Sequence, residues 1–587
     1  MTDICTAKNP GGAVRAGQMI ELQLRGPELF DIAVIVKKDG ETSYEYLPMY
    51  RFGMNLYLSY KFDVPGLYFY GFFSPKNGYL HFDNFQFIGY AHTEYWFQQT
   101  VYSKDYRAAD PFKGGIAYQI FPDRFYRVEP VKHLPGRVYH DDVNEMPIWW
   151  HDRTGVVRNN DFFGGSLKGI EAKLPYLASL NVSLIYLNPI FLAYSNHRYD
   201  TSDYLKIDPQ LGDEEDFVSL CKAANEIGIR IILDGVFSHT GDNSIYFNKY
   251  GKFDSVGAYQ SKSSPYYDWY NFTKWPDKYN SWWGFDTLPE VNELVPSYVE
   301  FITGHDGVIE HWMKLGASGF RLDVADELPD EFIVKIKEAI RRCDPEGLLI
   351  GEVWEDASNK ISYGVRRKYF WGDELDGTMN YPFRLAVLDF ISNGDAQAFR
   401  TKVESILWNY PEEMLSTCLN LITSHDTPRA INMLVDSFAA SRSKQEAADR
   451  VLSRGDYLRG IEMMKLAYAL LFYLPGIPTI YYGDEIGMQG YGDPFCRYYF
   501  KWDNIDENLL EHVRKLSNEH KEWRQIFSEG RLEFFESSRS VLGFWRRSDH
   551  GKIAFILNRS EQDYTYIFDT GKVVKVGPWN YEAIYFE

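Results

Sequence analysis

Eight short apolar runs, rich in Ile, Val, Leu and Tyr, alternate with longer amphipathic stretches over most of the chain. Runs this apolar suit strands buried on both faces, and each amphipathic stretch suits a helix that covers them. Parallel strands joined by helices in this way close into a barrel. The pattern therefore predicts an α/β fold, a (β/α)8 TIM barrel. The runs are 117–121, 183–190, 230–237, 319–324, 348–354, 377–381, 418–423 and 478–483.

The two ends of the chain are typical of antiparallel β domains. Stretches such as 20–24 and 56–62 alternate apolar and polar residues, which is the period of a half-buried strand. Between the third and fourth runs, a stretch dense in Tyr, Trp, Asp and Asn is too long for one helix, and such long loops are usually functional. We predict an N-terminal β-sandwich over 1–111, the barrel over 112–527 with an inserted subdomain at about 238–295, and a C-terminal antiparallel β-sandwich over 528–587.

Charge and composition exclude several classes of partner. The chain carries 62 basic and 82 acidic residues, a net charge of -20, which argues against a nucleic-acid partner. The most apolar stretch, 466–474, is too short to span a bilayer, so no membrane partner is expected. The first residues lack the basic and apolar segments of a signal peptide, and the 5 cysteines are scattered. We therefore expect a cytoplasmic protein.

Carboxylates stand near the ends of three of the predicted strands. Asp323 and Glu352 lie at the ends of the fourth and fifth runs, and Asp426 follows the seventh. The acting side chains of a parallel barrel come from the C-terminal ends of its strands, so we expect these carboxylates to meet at one mouth. A single Asp at a strand end is more often a helix cap or a salt-bridge partner. Their coincidence at neighbouring strand mouths favours a functional site instead.

The spacing around Asp323 indicates a particular chemistry. Arg321 lies two residues earlier on the same strand, so both side chains point to the same side, and a guanidinium favours the ionised carboxylate that a nucleophile requires. Glu352 would lie beside Asp323 and Asp426, and these like charges favour a protonated Glu352. One ionised and one protonated carboxyl group are the groups that double-displacement cleavage of a glycosidic bond needs.

Several segments around these residues resemble the α-amylase family, glycoside hydrolase family 13, and more narrowly its neopullulanase, cyclomaltodextrinase and maltogenic amylase group. The likeness runs from residue 118 to about residue 502, and the N-terminal segment resembles, more loosely, a starch-binding module. The segments are YQIFPDRF (118–125), DFFGG (161–165), SNHRYD (195–200), DGVFSH (234–239), GFRLDVADE (319–327), GEVWEDA (351–357), ITSHDTPR (422–429) and GIPTIYYGDE (476–485).

The resemblance implies a role for each matching residue. Asp323 matches the nucleophile, Glu352 the general acid/base and Asp426 the third carboxylate, which grips sugar hydroxyls. Asp234 matches the acid at the start of the first motif, with a structural role implied through a bond to neighbouring backbone or to Arg321. Asp200 lies beside the wall of the site, and a structural role is implied for it too. The residues implied to bind substrate, with Arg321 supporting the nucleophile and Tyr199 stacking beneath the cleaved glucose, are His197, Tyr199, His239, Arg321 and His425.

The family likeness implies a retaining hydrolase of α-1,4-glucosidic bonds in maltooligosaccharides and related α-glucans, with pullulan and cyclodextrins left open. An α-glucan transglycosylase or branching enzyme is an alternative, because it uses the same carboxylates. A non-catalytic glucan-binding protein on the same barrel is a further alternative, since fold does not dictate activity. Relatives in this group often dimerise through the N-terminal domain, so a homodimer also stays open.

The chain departs from the group's usual pattern on the side where the family binds the leaving group. The group reads V-A-N-E after the nucleophile, where this chain has Asp326 in place of Asn. Glu355 stands where the group commonly has His, and Leu288-Pro289-Glu290 replaces the start of M-P-K-L-N. We therefore expect hydrolysis of α-1,4 bonds ahead of action on α-1,6 bonds or cyclodextrins.

Calcium is expected to be dispensable, and no metal or other cofactor is predicted. Many α-amylases hold Ca²⁺ through an Asn where this chain has Ser238. Some relatives in the narrower group use an Asn and an Asp at the places of Arg127 and Ser166. Calcium needs six to eight oxygen ligands, so a cation in a ligand's place opposes its binding. Asp242 and Asn243, just after His239, leave an unrelated site open.

Overall fold

The structure, a computed structural model, describes residues 4–27, 29, 31–83, 85–153 and 155–586. The chain divides into two units. The first contains the described part of Met1–Ala108 together with Glu355–Asp376 and Glu404–Leu415, and the second contains Ala109–Trp354, Gly377–Val403 and the described part of Ser416–Glu587. The domain boundaries set out above stay predictions.

The second unit contains a closed ring of parallel strands. Over the described ranges, eight strands pair side by side in the chain order six, five, four, three, two, one, eight, seven. A parallel bridge between Met379 and Leu419 joins the sixth strand to the seventh and closes the ring. The predicted (β/α)8 barrel is confirmed. The strands, first to eighth, are Ala117–Ile120, Leu184–Leu187, Arg230–Gly235, Gly319–Leu322, Leu348–Gly351, Gly377–Thr378, Leu419–Asn420 and Ile477–Tyr481.

Both faces of these strands are buried, which explains why the runs look continuously apolar. Alternate residues of the strands, such as Tyr186 of the second and Ile350 of the fifth, pack together in one cluster. The residues between them, such as Ile185 and Leu349, are equally buried. Burying each such side chain contributes roughly 1.5–3 kcal/mol.

Helices follow the strands of the second unit. The helix Glu214–Glu226 begins at a capping box, in which the Asp213 side chain accepts from the backbone N–H of Asp216 and the Asp216 side chain returns the bond. Its apolar residues recur at helical spacing, so one face is buried. The helices are Leu167–Ala172, Leu174–Ser179, Glu214–Glu226, Pro296–Thr303, Val308–Lys314, Asp330–Cys343, Tyr381–Asn393, Ala396–Asn409 (whose end belongs to the first unit), Ala430–Val435, Lys444–Ala448, Arg454–Tyr473, Glu507–Glu522 and Arg524–Glu529.

The stretch between the third and fourth strands is irregular, as expected of an inserted subdomain. It contains the short hairpin Phe272–Lys274 with Lys278–Tyr279, and the single turn Trp282–Gly284. The amide of Asn248 orders one loop by donating to the carbonyl oxygens of Phe253 (2.9 Å) and Ser255 (2.8 Å). Aromatic rings and side-chain hydrogen bonds thus replace regular structure here.

The C-terminal part is an antiparallel sheet with an additional hairpin, and the antiparallel C-terminal domain is confirmed. Its core contains alternate residues of the third strand, such as Ala554 and Ile556. The sheet strands are Arg531–Ser538, Val541–Ser548, Gly551–Asn558 and Asn580–Phe586, and the hairpin pairs Tyr564–Ile567 with Val573–Val576.

The first unit is mostly antiparallel β-structure, which confirms the N-terminal strand domain. Its strand Met19–Arg25 buries Ile20, Leu22 and Leu24 while Glu21 faces solvent, which is the alternation seen in the sequence. No helix in the described ranges combines the length and apolarity needed to cross a bilayer. The strands are Cys5–Asn9, Val14–Arg15, Met19–Arg25, Ala33–Lys38, Glu45–Pro48, Tyr50–Phe52, Asn55–Lys61, Gly66–Ser74, Gly78–Asp83, Gln86–Ala91, Phe97–Tyr102, Ile361–Ser362 and Val365–Arg366, and a short helix spans Glu412–Leu415.

Candidate active site

The register of the fourth and fifth barrel strands sets Asp323 and Glu352 side by side. Leu322 pairs with Gly351, and the two acids are the next residues along each chain. The backbone N–H of Glu352 donates to the carbonyl oxygen of Leu322 at 3.0 Å. Both acids are almost completely buried. The barrel itself therefore brings together the carboxylates that the sequence predicted to meet.

One buried guanidinium lies among the acids of this cluster. Nη1 of Arg321 is 2.7 Å from Oδ1 of Asp234 and 2.9 Å from Oδ1 of Asp323. Nη2 is 3.0 Å from Oε2 of Glu352. Arg321 is completely buried, so its charge acts without screening by water. The arginine predicted to support Asp323 thus also holds Asp234 and Glu352.

This sharing changes the electrostatics expected at Asp323. Burial raises the pKa of Asp323 well above its usual range, and the charges of Glu352, Asp234 and Asp426 raise it further, whereas Arg321 lowers it. The sequence suggested that Arg321 would keep Asp323 ionised, but that expectation did not include the burial of Asp323 or the effect of the neighbouring acids on its pKa. Burial and the neighbouring acids therefore favour the protonated form of Asp323, and Arg321 opposes them.

Two groups that the sequence reasoning missed fix the Glu352 carboxylate. The backbone N–H of Val324 donates to Oε2 at 2.8 Å, and the indole N–H of Trp354 donates to Oε1 at 3.1 Å. Val324 has a positive φ of 39°, which is strained for a β-branched residue and typical of functional sites. Trp354 stands two residues after Glu352 in the segment GEVWEDA, and this motif could have indicated Trp354 as a site residue.

Asp426 follows the seventh strand at the mouth of the barrel. Its Oδ1 is 3.2 Å from Nη2 of Arg497, and its Oδ2 is 3.1 Å from Nε2 of His425. A third of the side-chain surface remains open to solvent (33%), although protein groups surround the rest. Burial and the nearby charge of Glu352 raise the pKa of Asp426, whereas Arg497 and Arg321 lower it. No motif or spacing in the sequence indicated Arg497 as a site residue.

A chain of hydrogen bonds joins Asp426 to the acids beside Arg321. The amide of Gln119 donates to Nδ1 of His425 at 2.9 Å, so the imidazole carries its hydrogen on Nε2. Nε2 of His425 contacts the hydroxyl of Tyr199, which donates to Oδ2 of Asp234 at 2.9 Å. Burial lowers the pKa of His425 well below its usual range, so the ring stays neutral. The rings of Tyr199 and His425 are also nearly parallel, with 8° between their planes and 5.5 Å between their centroids.

The remaining predicted residues surround the same place. The ring of His197 lies 5.8 Å from that of Tyr199, and burial lowers the pKa of His197 to about 3. Burial lowers the pKa of His239 to about 4, an effect partly offset by the backbone of Tyr199. The ring of His239 also packs at 5.5 Å against Trp282 of the inserted subdomain. The structure thus brings every predicted site residue into one connected group.

The positions where relatives hold calcium are filled by other interactions. The Arg127 guanidinium donates to the carbonyl oxygens of His140 (3.3 Å) and Asp141 (3.1 Å). The hydroxyl of Ser166 caps the helix Leu167–Ala172, and that of Ser238 bonds to Nδ1 of His239 at 2.9 Å. Within the described ranges, no group of three or more His, Cys, Asp or Glu side chains is arranged to hold a metal ion. The cation of Arg127 opposes a calcium ion, and the hydroxyls of Ser166 and Ser238 are poor replacements for carboxylate ligands.

Neighbouring acids at the C-terminal ends of barrel strands, bridged by an arginine and flanked by neutral histidines, define the class of (β/α)8-barrel glycosidases. The model of the α-amylase catalytic domain matches residues 119–534. The chain therefore belongs to the α-amylase family.

Known relatives agree with this assignment. Amylopullulanase of Thermoanaerobacter thermohydrosulfuricus is 35% identical over 97% of this chain and 42% of its own length. Cyclomaltodextrinase of Geobacillus thermopakistaniensis is 32% identical over 78% of this chain and 71% of its own length. The solved cyclic α-maltosyl-(1→6)-maltose hydrolase of Arthrobacter globiformis has a TM-score of 0.67 and 28% identity, covering 82% of this chain and 99% of that chain. The chain thus spans less than half the length of that amylopullulanase.

Proposed function

We propose that this chain is a retaining hydrolase of α-1,4-glucosidic bonds in maltooligosaccharides and related α-glucans. The observation that carries the proposal is the arrangement of Asp323 and Glu352 on adjacent strands, at 2.9 Å and 3.0 Å from one Arg321 guanidinium. It supports the short separation, about 5–5.5 Å, that a covalent double displacement needs.

In this proposal Asp323 is the nucleophile and Glu352 the general acid. Glu352 gives a proton to the glycosidic oxygen while an oxygen of Asp323 attacks the anomeric carbon, and the bond to the leaving sugar breaks. The product is a glycosyl ester of Asp323. Glu352 then removes a proton from water, the water oxygen attacks the same carbon, and the ester bond breaks. Two inversions leave the α configuration unchanged.

The groups around the carboxylates suit the sugar ring at the cleavage point. Tyr199 offers an aromatic face to its C–H groups. Nδ1 of His197 accepts from the backbone N–H of Tyr199 at 3.1 Å, and Nδ1 of His239 contacts the hydroxyl of Ser238, so Nε2 of each neutral ring is left to match a sugar hydroxyl. Neutral His425 instead contacts Tyr199 and Asp426 through its Nε2. Asp426 keeps an exposed carboxylate edge for two further hydroxyls. Binding a distorted ring this way favours the transition state over the ground state.

The substrate range is proposed from the names of the relatives. They include an amylopullulanase, a cyclomaltodextrinase and a neopullulanase, so pullulan and cyclodextrins belong in the proposed range beside linear maltooligosaccharides. We also propose that the enzyme needs no calcium, because Arg127 already binds the carbonyl oxygens of His140 and Asp141.

The test is product analysis with maltoheptaose, pullulan and β-cyclodextrin in parallel, with Asp323→Asn as the inactive control. Shorter oligosaccharides that first appear as the α-anomer in an NMR time course would support the proposal. First products of β configuration would contradict retention. Products longer than the substrate would favour the transglycosylase alternative, and new α-1,6 branches would favour a branching enzyme. If no substrate is converted, the alternative of a non-catalytic glucan-binding protein is favoured.

A further inference from the structure

A buried histidine outside the catalytic group contacts two carboxylates at once. Nδ1 of His140 is 2.6 Å from Oε2 of Glu145, and Nε2 is 3.1 Å from Oδ2 of Asp161. A neutral imidazole carries hydrogen on only one ring nitrogen, so only the charged ring can donate to both acids. The side chain is almost completely buried, with its ring stacked 4.2 Å from that of Phe163. No step of the proposed hydrolysis uses this group.

The charged groups around His140 favour its protonated form. Burial and the charge of Arg124 lower the pKa of His140, whereas its hydrogen bonds to Asp161 and Glu145 raise it, and the net result is a raised pKa. Electrostatics thus agree with the geometry, in which both ring nitrogens donate. The other charged side chains at His140 and its loop are Asp123, Arg127, Asp141, Asp142 and Lys501.

Asp161 connects His140 to the segment that carries His197. Its Oδ2 also accepts the backbone N–H of Ile148 at 3.0 Å, and its Oδ1 accepts the amide of Asn196 at 2.9 Å. The same amide donates to the carbonyl oxygen of Asp161 at 3.1 Å. Because Asn196 directly precedes His197, a shift of the Asp161 carboxylate is transmitted to that site residue.

The loop that contains the histidine, loop 139–150, also packs against the segment that carries Arg497. Trp149 joins a hydrophobic cluster with Phe495, and the two rings lie 6.1 Å apart. Phe495 begins the turn that ends at Arg497, and Nη2 of Arg497 is 3.2 Å from Oδ1 of Asp426. One loop therefore contacts two segments that hold site residues.

We propose that His140, as a charged ring between two carboxylates, positions loop 139–150 and the segments of His197 and Arg497 for substrate. This role rests on the proposed hydrolysis, because it acts through residues that bind the sugar there. Below the usual pKa of histidine, near 6.5, the ring donates to both acids. As the pH rises through the raised pKa, one nitrogen loses its hydrogen, its lone pair faces a carboxylate, and the loop loosens.

The first test compares kcat and KM for maltoheptaose in His140→Gln at pH 6. An amide can donate to only one of the two acids, so the loop should be loose although the reacting carboxylates stay on their strands. We expect KM to rise about fivefold and kcat to fall by about twofold at most. The ratio of the two KM values, variant to parent, should approach one as the pH rises, because the parent ring then becomes neutral.

Hydrogen exchange of peptides from loop 139–150 follows the loop directly. After correction for the intrinsic pH dependence, exchange in the unaltered protein should increase as the pH rises through the raised pKa of His140. His140→Gln should exchange fast at every pH. Glu145→Gln removes one carboxylate from a half-exposed side chain, so the ring loses its proton more easily, and the transition should move down by about one pH unit.

The chain offers a matched control in His311. Its Nε2 lies 3.2 Å from Oε1 of Glu214, but it has this one carboxylate partner and lies in the helix Val308–Lys314. His311→Gln should leave KM and the exchange of loop 139–150 unchanged. An unchanged KM in His140→Gln at pH 6, or loop exchange in the unaltered protein that does not depend on pH, would overturn the proposal while the proposed hydrolysis stands.

If the unaltered protein does not cleave maltoheptaose, the proposed function fails, and the role of His140 is then judged by exchange alone. A transition in loop 139–150 that Glu145→Gln moves to lower pH supports the role. A transition that this variant leaves in place refutes it.

Discussion

The indole of Trp354 lies flat on the ring of Tyr381, with 3.8 Å between centroids and 10° between planes. The same indole donates its N–H to Oε1 of Glu352. Tyr381 is buried at the start of the helix Tyr381–Asn393 and therefore cannot shift freely. This stack connects the helix after the sixth strand to the proposed general acid.

Replacing Tyr381 should therefore impair proton donation. In Tyr381→Leu we expect kcat for maltoheptaose to fall about tenfold, because Trp354 loses its support and no longer fixes Glu352. A series of aryl maltosides should show a steeper dependence of rate on leaving-group acidity. Tyr381→Phe is the control, since it keeps the ring and loses only the hydrogen bond to Ser424 at 3.2 Å. An unchanged dependence in the Leu variant would contradict the role of the stack.

Asp323→Asn should abolish turnover and leave the fold intact. The change is nearly isosteric but removes the attacking carboxylate, so we expect kcat to fall by about three orders of magnitude or more. A fluorinated glycosyl donor should label Asp323 in the unaltered protein, as mass spectrometry of the peptides can show. Labelling of Glu352 instead, or near-normal rates in the variant, would reverse the assigned roles.

Gln119 should set the tautomer of His425. Its amide donates to Nδ1 of that ring, which directs the Nε2 hydrogen toward Tyr199 and Asp426. Gln119→Met keeps the volume but removes the donor, at a cost of about 1–2 kcal/mol, or roughly 5–30-fold in kcat/KM. The ¹⁵N shifts of His425 report the tautomer directly. A variant whose shifts are unchanged would show that another group fixes the ring.

Stability should depend on pH through Glu485. This side chain is completely buried, and the hydroxyls of Tyr118 (2.7 Å) and Tyr176 (2.6 Å) donate to its Oε1. Burial raises its pKa from 4.5 to about 7, so the folded protein binds a proton there that the unfolded chain releases. The contribution to the free energy of unfolding therefore decreases between pH 4.5 and 7, by about 3 kcal/mol in total, and stays constant above.

Glu485→Gln removes this titration and keeps an acceptor for both tyrosines. The variant should gain melting temperature relative to the unaltered protein at pH 8 and not at pH 4.5. A difference in melting temperature that is the same at both pH values would refute the assignment.

Calcium removal should have no effect on melting temperature or activity. Exhaustive EGTA treatment is compared with untreated protein by calorimetry and by the maltoheptaose assay. The expected result follows from Arg127, whose guanidinium donates to the carbonyl oxygens of His140 and Asp141. Arg127→Ala should lower the melting temperature, since those bonds are lost. A decrease after EGTA that Ca²⁺ alone restores would contradict calcium independence.

Much of the fold could be predicted because apolar runs and alternating residues along the sequence indicate its strands. Apolar runs indicated the barrel strands. An acid at the end of such a run indicated a site residue, since the C-terminal ends of all the parallel strands lie at one mouth of the barrel. The sixth and seventh strands, Gly377–Thr378 and Leu419–Asn420, are shorter than the predicted runs 377–381 and 418–423, because the chain leaves the sheet to begin a helix or a loop.

Long-range partners were not predictable from such patterns. Gln119 and His425 meet across 306 residues of sequence, and only closure of the barrel brings them together. The contact of Arg321 with Glu352 and the strained φ of Val324 likewise depend on three-dimensional packing. Spacing along the chain does not show which acids from distant strands will surround one cation.

The crowding of Asp234, Asp323 and Glu352 around Arg321 has a consequence for durability. Without a sugar bound, these acids repel one another in a place that water cannot screen, so the rest of the fold must hold them there against their mutual repulsion. The catalytically dead Asp323→Asn protein should accordingly melt at a higher temperature than its active parent. Heat resistance and the proposed turnover therefore make opposite demands on this one position.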